Sequence, residues 1–304
     1  MIDLHTHTKF SDGTDSAKEV LTHAEKLHLD YLSITDHNTC KAYTEELDFI
    51  NTKSIFSGKI IPGVELNTKV LGIPIEILGY GVNPQIINEL TKKYYPSAEE
   101  RNKIELSRIY KKCLEYNVKV PSTILEDYNA TMFTSKYLHS ILIKDIENKK
   151  IIDDEAWENS NIFYRKYMSN PESIFYVDMD DVLPDFNQAR DIVKKAGGLL
   201  FIPHIFEYRD NALKILEFIL NNYEIDGIEC YYTTFTNEQN KYLIDLCKEK
   251  NLYMSGGSDY HGKAKPGVFV GIGTGNLQIS AKIFDAWSHK IDFYKNWHFS
   301  NFFV

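Results

Sequence analysis

Cysteine and positive charge are scarce in this 304-residue chain, which holds 4 Cys and sets 34 Lys+Arg against 43 Asp+Glu for a net charge of -9. Cys40, Cys113, Cys230 and Cys247 form no Cys-x-x-Cys pair, which excludes a zinc knuckle or a thioredoxin-type redox motif. Four reduced, packed thiols are expected. The acidic balance provides no whole-surface basic field for gripping a nucleic-acid backbone, so no stable duplex partner is expected. An anionic substrate must meet local positive charge. No apolar run reaches the roughly 20 residues that a spanning helix needs, and no membrane partner is expected. Met1-Ile2-Asp3-Leu4-His5 turns polar at once, without the basic flank and apolar run of a leader, so the expected address is cytoplasmic. With 16 Gly and 9 Pro and no repeat, neither a fibrous nor a low-complexity architecture applies.

What is present is a globular composition, 43% hydrophobic and 25% charged, arranged as short β-branched runs alternating with helical periods. Seven runs read as strands: 2–7, 31–35, 60–65, 75–80, 199–204, 227–231 and 252–255. Ala17, Val20, Leu21, Ala24 and Leu27 form one helical face between the first two, opened by a Ser16/Glu19 capping box. Ala189, Ile192, Val193 and Ala196 precede the fifth strand in the same way, and Tyr242, Leu243, Leu246 and Cys247 precede the seventh. The pattern predicts an α/β protein with a mostly parallel sheet. It is interrupted once, over 86–190, where Ile104, Ile109, Cys113 and Leu114 predict a long helix and no strand stands out. The expected organisation is therefore a sheet domain in two parts, 1–85 and 191–304, with 86–190 as a helical insertion that serves as a lid.

Of the 10 histidines, His5, His7, His37, His204 and His261 fall at or just beyond strand ends. Residues i and i+2 of a strand share a face, so His5 points with His7, and Asp259 with His261. Asp12, Glu65 and the isolated His204 occupy equivalent places. Imidazole and carboxylate without thiolate suit divalent Mn, Fe or Zn. One ion cannot use so many donors. Several ions sharing a carboxylate is the economical reading, with Glu65 as the bridge.

The motifs Leu4-His5-Thr6-His7 with Ser11-Asp12-Gly13, Thr35-Asp36-His37-Asn38, Gly63-Val64-Glu65 and Gly257-Ser258-Asp259-Tyr260-His261-Gly262 resemble the polymerase-and-histidinol-phosphatase, or PHP, family of metal-dependent phosphoesterases. The resemblance runs in order from residue 1 to about residue 275 and is weak only in the insertion. It implies a distorted seven-stranded (β/α) TIM-like barrel carrying two or three metal ions. Position by position it implies His5, His7, Glu65 and Asp259 on one ion, Glu65 and His204 on a second, and Asp12, His37 and His261 on a third. Stand-alone phosphatases of the family carry histidine where this chain has Glu76, so a carboxylate ligand there would favour Mn or Fe over Zn. Thr134-Ser135-Lys136-Tyr137-Leu138-His139 resembles the family's Gly-Arg-Pro-His segment, which implies that Lys136 and His139 hold the substrate phosphate. Arg209, five residues past His204, is a further candidate phosphate contact. Asp3, Asp36 and Glu229 are candidates for the second nitrogen of a ligating imidazole. His23, His28, His289 and His298 are read as structural.

The function implied is hydrolysis of a phosphomonoester on a small, nucleotide-like molecule, with a metal-bridging hydroxide as nucleophile and no covalent phosphoenzyme. Phe133, Tyr137, Phe163 and Tyr164 are candidates for stacking on a nucleobase. Histidinol-phosphate phosphatase and short-oligonucleotide nuclease activities are the alternatives within hydrolysis, and a catalytically silent metal-binding regulatory domain is the alternative of another class.

Overall fold

The computed structural model describes residues 1–47 and 49–291, so His298 lies outside the described residues. The chain divides into two compact units, Met1–Tyr94 with Leu183–Val304, and Tyr95–Val182. The second is narrower than the 86–190 segment expected, because the helices flanking it pack on the first unit. In order, the first unit opens with β1 (Ile2–Asp3), α1 (Ala17–Lys26), β2 (Tyr31–Leu32), α2 (Phe49–Ile55), β3 (Lys59–Ile60), β4 (Gly63–Val70), β5 (Ile73–Tyr80) and α3 (Pro84–Tyr94). The Ser16/Glu19 capping box at the start of α1 is present, and Ala17, Val20, Leu21 and Ala24 are its buried face. A cap of this kind is worth about 1 kcal/mol.

The second unit contributes α4 (Ala98–Glu115), α5 (Thr134–Leu142), α6 (Asp154–Glu158) and α7 (Ser160–Phe163). Its own core gathers Leu106, Ile109, Cys113, Leu138, Phe163 and Phe175. The long helix expected from Ile104, Ile109, Cys113 and Leu114 is α4, and its apolar stripe runs through Leu106, Ile109 and Cys113, whereas Leu114 is 58% exposed. Spacings of three and four keep a residue on the buried side, and Leu114 directly follows Cys113.

The first unit resumes with α8 (Phe186–Lys195), β6 (Leu199–Ile202), α9 (Ala212–Asn222), β7 (Gly227–Tyr232), α10 (Asn237–Lys250), β8 (Tyr253–Gly257) and α11 (Lys282–Asp285). Helix α8 packs on β4, β5, β6 and α3. The strands form two sheets in the orders β1-β2-β3 and β4-β5-β6-β7-β8. β1, β2 and β3 are parallel, as are β6, β7 and β8. β5 is the departure from the parallel arrangement expected, because it runs antiparallel to both β4 and β6. The reason is local: Leu71 (φ +55°) and Gly72 (φ +74°) close a two-residue hairpin between β4 and β5, the left-handed pair that such a turn requires. The expected run 60–65 is likewise broken into β3 and β4 around Pro62, which has no N–H to give to a ladder.

Between the regular ladders run single parallel bridges, Thr6 to Tyr260 and His37 to Glu65. The amides of Leu4 and His7 donate to Gly256 and Tyr260, and that of Asp259 to His5. This close approach explains Gly257, where a Cβ would lie 2.4 Å from that of His5. An aromatic core of Tyr80, Phe201, Phe284 and Trp287 packs with Ile2 and Leu78 beneath these strands. The Trp287 indole is satisfied by donating to the Met254 carbonyl at 2.9 Å.

Candidate metal centre

Strand ends supply the site. His5 and His7 follow β1, His37 follows β2, Glu65 is the third residue of β4, His204 follows β6, and Asp259 and His261 follow β8. Glu76 lies in the first half of β5, and the antiparallel course of that strand carries this half to the end where the neighbouring β6 finishes. His204 (φ +24°) and Asp259 (φ +55°) stand in the left-handed region, which costs a side-chain-bearing residue on the order of 1–3 kcal/mol and is typical of functional sites.

The hub is Glu65, 1% exposed. Its Oε2 lies 3.2 Å from His5 Nε2, 3.1 Å from His7 Nε2 and 3.5 Å from His37 Nδ1, while its Oε1 lies 2.8 Å from His204 Nε2. Asp259 Oδ1 faces the same two imidazoles, 3.5 Å from His5 and 3.2 Å from His7, and the two Nε2 atoms are 3.2 Å apart. Donors about 2.0–2.2 Å from one ion sit about 3.0–3.4 Å from their neighbours in a tetrahedral or octahedral shell. The measured spacings match that expectation.

The other predicted donors join this cluster. His261 Nε2 lies 3.2 Å from Asp12 Oδ1, and His37 Nε2 lies 3.6 Å from Asp12 Oδ2. Glu76 Oε2 is 3.5 Å from His204 Nε2, and its Oε1 is 3.9 Å from His37 Nδ1. Among the described residues, three groups are close enough to hold an ion: His5, His7 and Glu65; His7, Asp12, His37 and His261; and His37, Glu65 and Glu76. The buried Nδ1 of His37, which faces Glu65 and Glu76, has no hydrogen-bond partner, as suits a nitrogen turned toward a cation. The donor set fits divalent cations.

The electrostatics demand the same charge. Burial disfavours a charged imidazole, yet the surrounding carboxylates outweigh it and raise His5 well above its ordinary pKa, His7 to about 10 and His204 to about 9. Burial likewise opposes ionisation of Glu65 and Asp259, but the facing histidines hold both well below the usual carboxylate range. Anions this closely grouped require positive charge at their centre.

Supporting groups differ from those expected. Glu229, fully buried, accepts from His5 Nδ1 at 3.0 Å and from the His204 amide at 2.8 Å, so it orients two ligand-type residues. Asp3 and Asp36 touch no imidazole nitrogen. Asp3 accepts from Ser258, Gly271 and the His5 amide, and Asp36 from Thr8 and Ser11, so both pin the loops that carry ligands. Tyr208, whose hydroxyl meets the Glu76 amide and carboxylate, and Tyr232 and Lys265, both on Asp259 Oδ2, carried no sequence signal because no spacing motif includes them.

Of the candidate phosphate contacts, Lys136 and His139 belong to the helical unit and Arg209 to the first unit. His139 is 7% exposed inside the helical unit, its Nε2 2.9 and 3.0 Å from the carbonyls of Ala156 and Trp157. That nitrogen is engaged in holding helices together. Lys136 is exposed on α5, with its ammonium 5.7 Å from the Phe133 ring. Arg209 is exposed in a turn at φ +49° and does not line the cavity that holds the cluster. Of the candidate stacking rings, Phe163 is fully buried and Tyr137 donates to the Ile124 carbonyl, while Phe133 and Tyr164 are exposed.

A profile of the PHP domain matches residues 3–167. The chain belongs to the PHP domain family. It is a metal-dependent phosphoester hydrolase of the PHP type. The 5'-3' exoribonuclease Rnm of Escherichia coli is 24% identical over 267 residues, covering 85% of this chain and 84% of its own. The 5'-3' exoribonuclease of Haemophilus influenzae is 24% identical over 94% of this chain and 97% of its own. A phosphoribosyl 1,2-cyclic phosphate 1,2-diphosphodiesterase of Eggerthella lenta is 23% identical over 86% of this chain and 94% of its own. Among solved structures, one from Bifidobacterium adolescentis, described as a metal-dependent phosphoesterase, superposes with a TM-score of 0.65 at 19% identity over 96% of both chains. An amidohydrolase from Chromobacterium violaceum with bound sulfate and no metal also gives 0.65, at 20% identity over 96% of this PHP chain and 97% of its own. Both share the PHP fold of this chain. Among the described residues, no helix is long and apolar enough to cross a membrane.

Proposed function

We propose that this protein hydrolyses a phosphate ester of a nucleotide-like substrate with two or three divalent ions of Mn, Fe or Zn. The observation that carries this reading is the Glu65 carboxylate, with one oxygen turned to His5, His7 and His37 and the other to His204. His5, His7, Glu65 and Asp259 would hold one ion, Glu65, His204 and Glu76 a second, and Asp12, His37 and His261 a third. Divalent ions so held supply Lewis-acid polarisation of a phosphoryl oxygen and a water acidified toward neutral pKa. The chain's part is to orient them: Glu229 fixes the His5 tautomer with Nε2 facing inward, and Asp3 and Asp36 keep the ligand-bearing loops from swinging.

The two sheets fit a distorted seven-stranded barrel if β3 and β4 count as one interrupted strand, a reading supported by the bridges Thr6 to Tyr260 and His37 to Glu65. The cluster opens into a cavity of about 510 Å³, the size of a single nucleotide's site rather than of a duplex groove. A small phosphomonoester fits that volume. The names of the E. coli and H. influenzae relatives favour a second form of the reading, in which the terminal nucleotide of a short single-stranded RNA enters the same cavity.

The test is a panel of nucleoside monophosphates, nucleoside bisphosphates, histidinol phosphate and a short 5'-phosphorylated RNA, offered to Mn²⁺-loaded protein. Release of inorganic phosphate from the small molecules supports the first form, and release of mononucleotides from the RNA supports the second. Turnover of histidinol phosphate alone, or silence across the panel with metal shown to be bound, overturns the nucleotide reading.

A further inference from the structure

We propose that Lys265 is a substrate contact, the ammonium group that receives the phosphate at the wall of the cavity; this rests on the phosphoesterase reading above. Lys265 follows the short turn Gly262–Ala264, directly after the ligand-type residues Asp259 and His261. Its Nζ lies 2.6 Å from Asp259 Oδ2 and 3.0 Å from the Tyr232 hydroxyl, which itself donates to Asp259 Oδ2 at 2.7 Å. An ammonium group has three N–H donors. Two are engaged here, which leaves one for the cavity whose wall the side chain forms, and at 33% exposure the group is open to a ligand.

The surroundings give that third donor its importance. Asp12, Glu65, Glu76, Glu207 and Asp259 line the same cavity, and among its described lining residues Lys265 is the only lysine or arginine. A phosphate entering between five carboxylates needs cationic partners, and the fixed ammonium supplies one beyond the metal ions. Two protein partners already hold Nζ in place, so little side-chain entropy is lost when an anion arrives. A lysine serving Asp259 alone would need no exposure and no position on the cavity wall. The two roles separate by experiment.

The probe is inorganic phosphate, titrated calorimetrically into Mn²⁺-loaded full-length protein, with metal content measured in parallel. In Lys265→Gln the phosphate Kd rises about tenfold or more, the scale of a lost charged hydrogen bond, while metal content is unchanged. Lys265→Arg keeps phosphate affinity near that of the parent, and Lys265→Met replaces the glutamine variant if that one does not fold. Equal phosphate affinity in the parent and in Lys265→Gln overturns the proposal. So does loss of metal in Lys265→Gln with recovery in Lys265→Arg, because the lysine would then act only through Asp259. A parent protein that holds metal yet binds no phosphate at all would instead bring down the phosphoesterase reading beneath it.

Discussion

His5 and His139 are both buried histidines preceded by a plausible motif, one in each unit, and they do opposite work. Carboxylates of Glu65, Glu229 and Asp259 surround the first, whereas backbone carbonyls of Ala156 and Trp157 surround the second. Carbonyls are satisfied by the imidazole's own N–H, so His139 completes a core. Carboxylates carry net charge, which raises the His5 pKa despite its burial, so His5 belongs to a site that calls for positive charge. What faces a histidine decides its role, and burial alone does not.

The comparison breaks most sharply at Glu65. Glu65→Gln keeps the shape but removes the charge shared by four imidazoles, and metal affinity should fall by more than the roughly 100-fold typical of an outer-shell change. Calorimetric titration with Mn²⁺ checks it, and retained affinity would remove Glu65 from the centre. Chelation tests the same contrast between units: with metal stripped, turnover should vanish and amide exchange should quicken around β1, β4 and β8 while α4 and α5 keep their protection. Equal loosening of both units would mean that metal stabilises the fold at large.

Smaller effects sharpen the picture. Glu229→Gln should weaken metal binding about 10–100-fold, because His5 then loses the carboxylate that orients it, and an unchanged metal titration would make Glu229 a mere core residue. Glu76→His should move the preference of the bound ions from Mn²⁺ toward Zn²⁺ on the order of tenfold, read by competition with a metal-sensing dye. No change would leave Glu76 outside the ligand set. The mildest effect belongs to the other histidine: His139→Phe should cost about 1–3 kcal/mol of stability in a denaturant melt and leave metal content as it was.

The elements most legible in the sequence were those whose logic is local. The capping box of α1 follows from capping chemistry within a few residues, and His5 faces Glu65 together with His7 as their i, i+2 spacing implies, whereas Asp259 and His261 lie past the end of β8, with Asp259 left-handed, so strand alternation does not set their direction. The reversal of β5 was less visible, since a buried apolar run reads alike in either direction and the decision rests on two left-handed residues, one of them Leu71. The long helix α4 was legible from its apolar residues, although Cys113 is buried and Leu114 exposed, because neighbours in a helix point about 100° apart. The contacts of His139 with the carbonyls of Ala156 and Trp157 were not legible, because they depend on how α5 meets the segment of α6 in space.

The sequence by itself determined which chemistry the chain can perform, because the side chains that can ligate a divalent ion are few and their spacing on strands sets their direction. Only the tertiary structure decided who stands behind them. Tyr208 reaches Glu76 across 132 residues and Tyr232 reaches Asp259 across 27, and of the candidates Asp3, Asp36 and Glu229 it is Glu229, 224 residues from His5, that meets the second imidazole nitrogen. A hydrogen bond across that separation depends on where strands converge in space, which no local pattern of residues encodes.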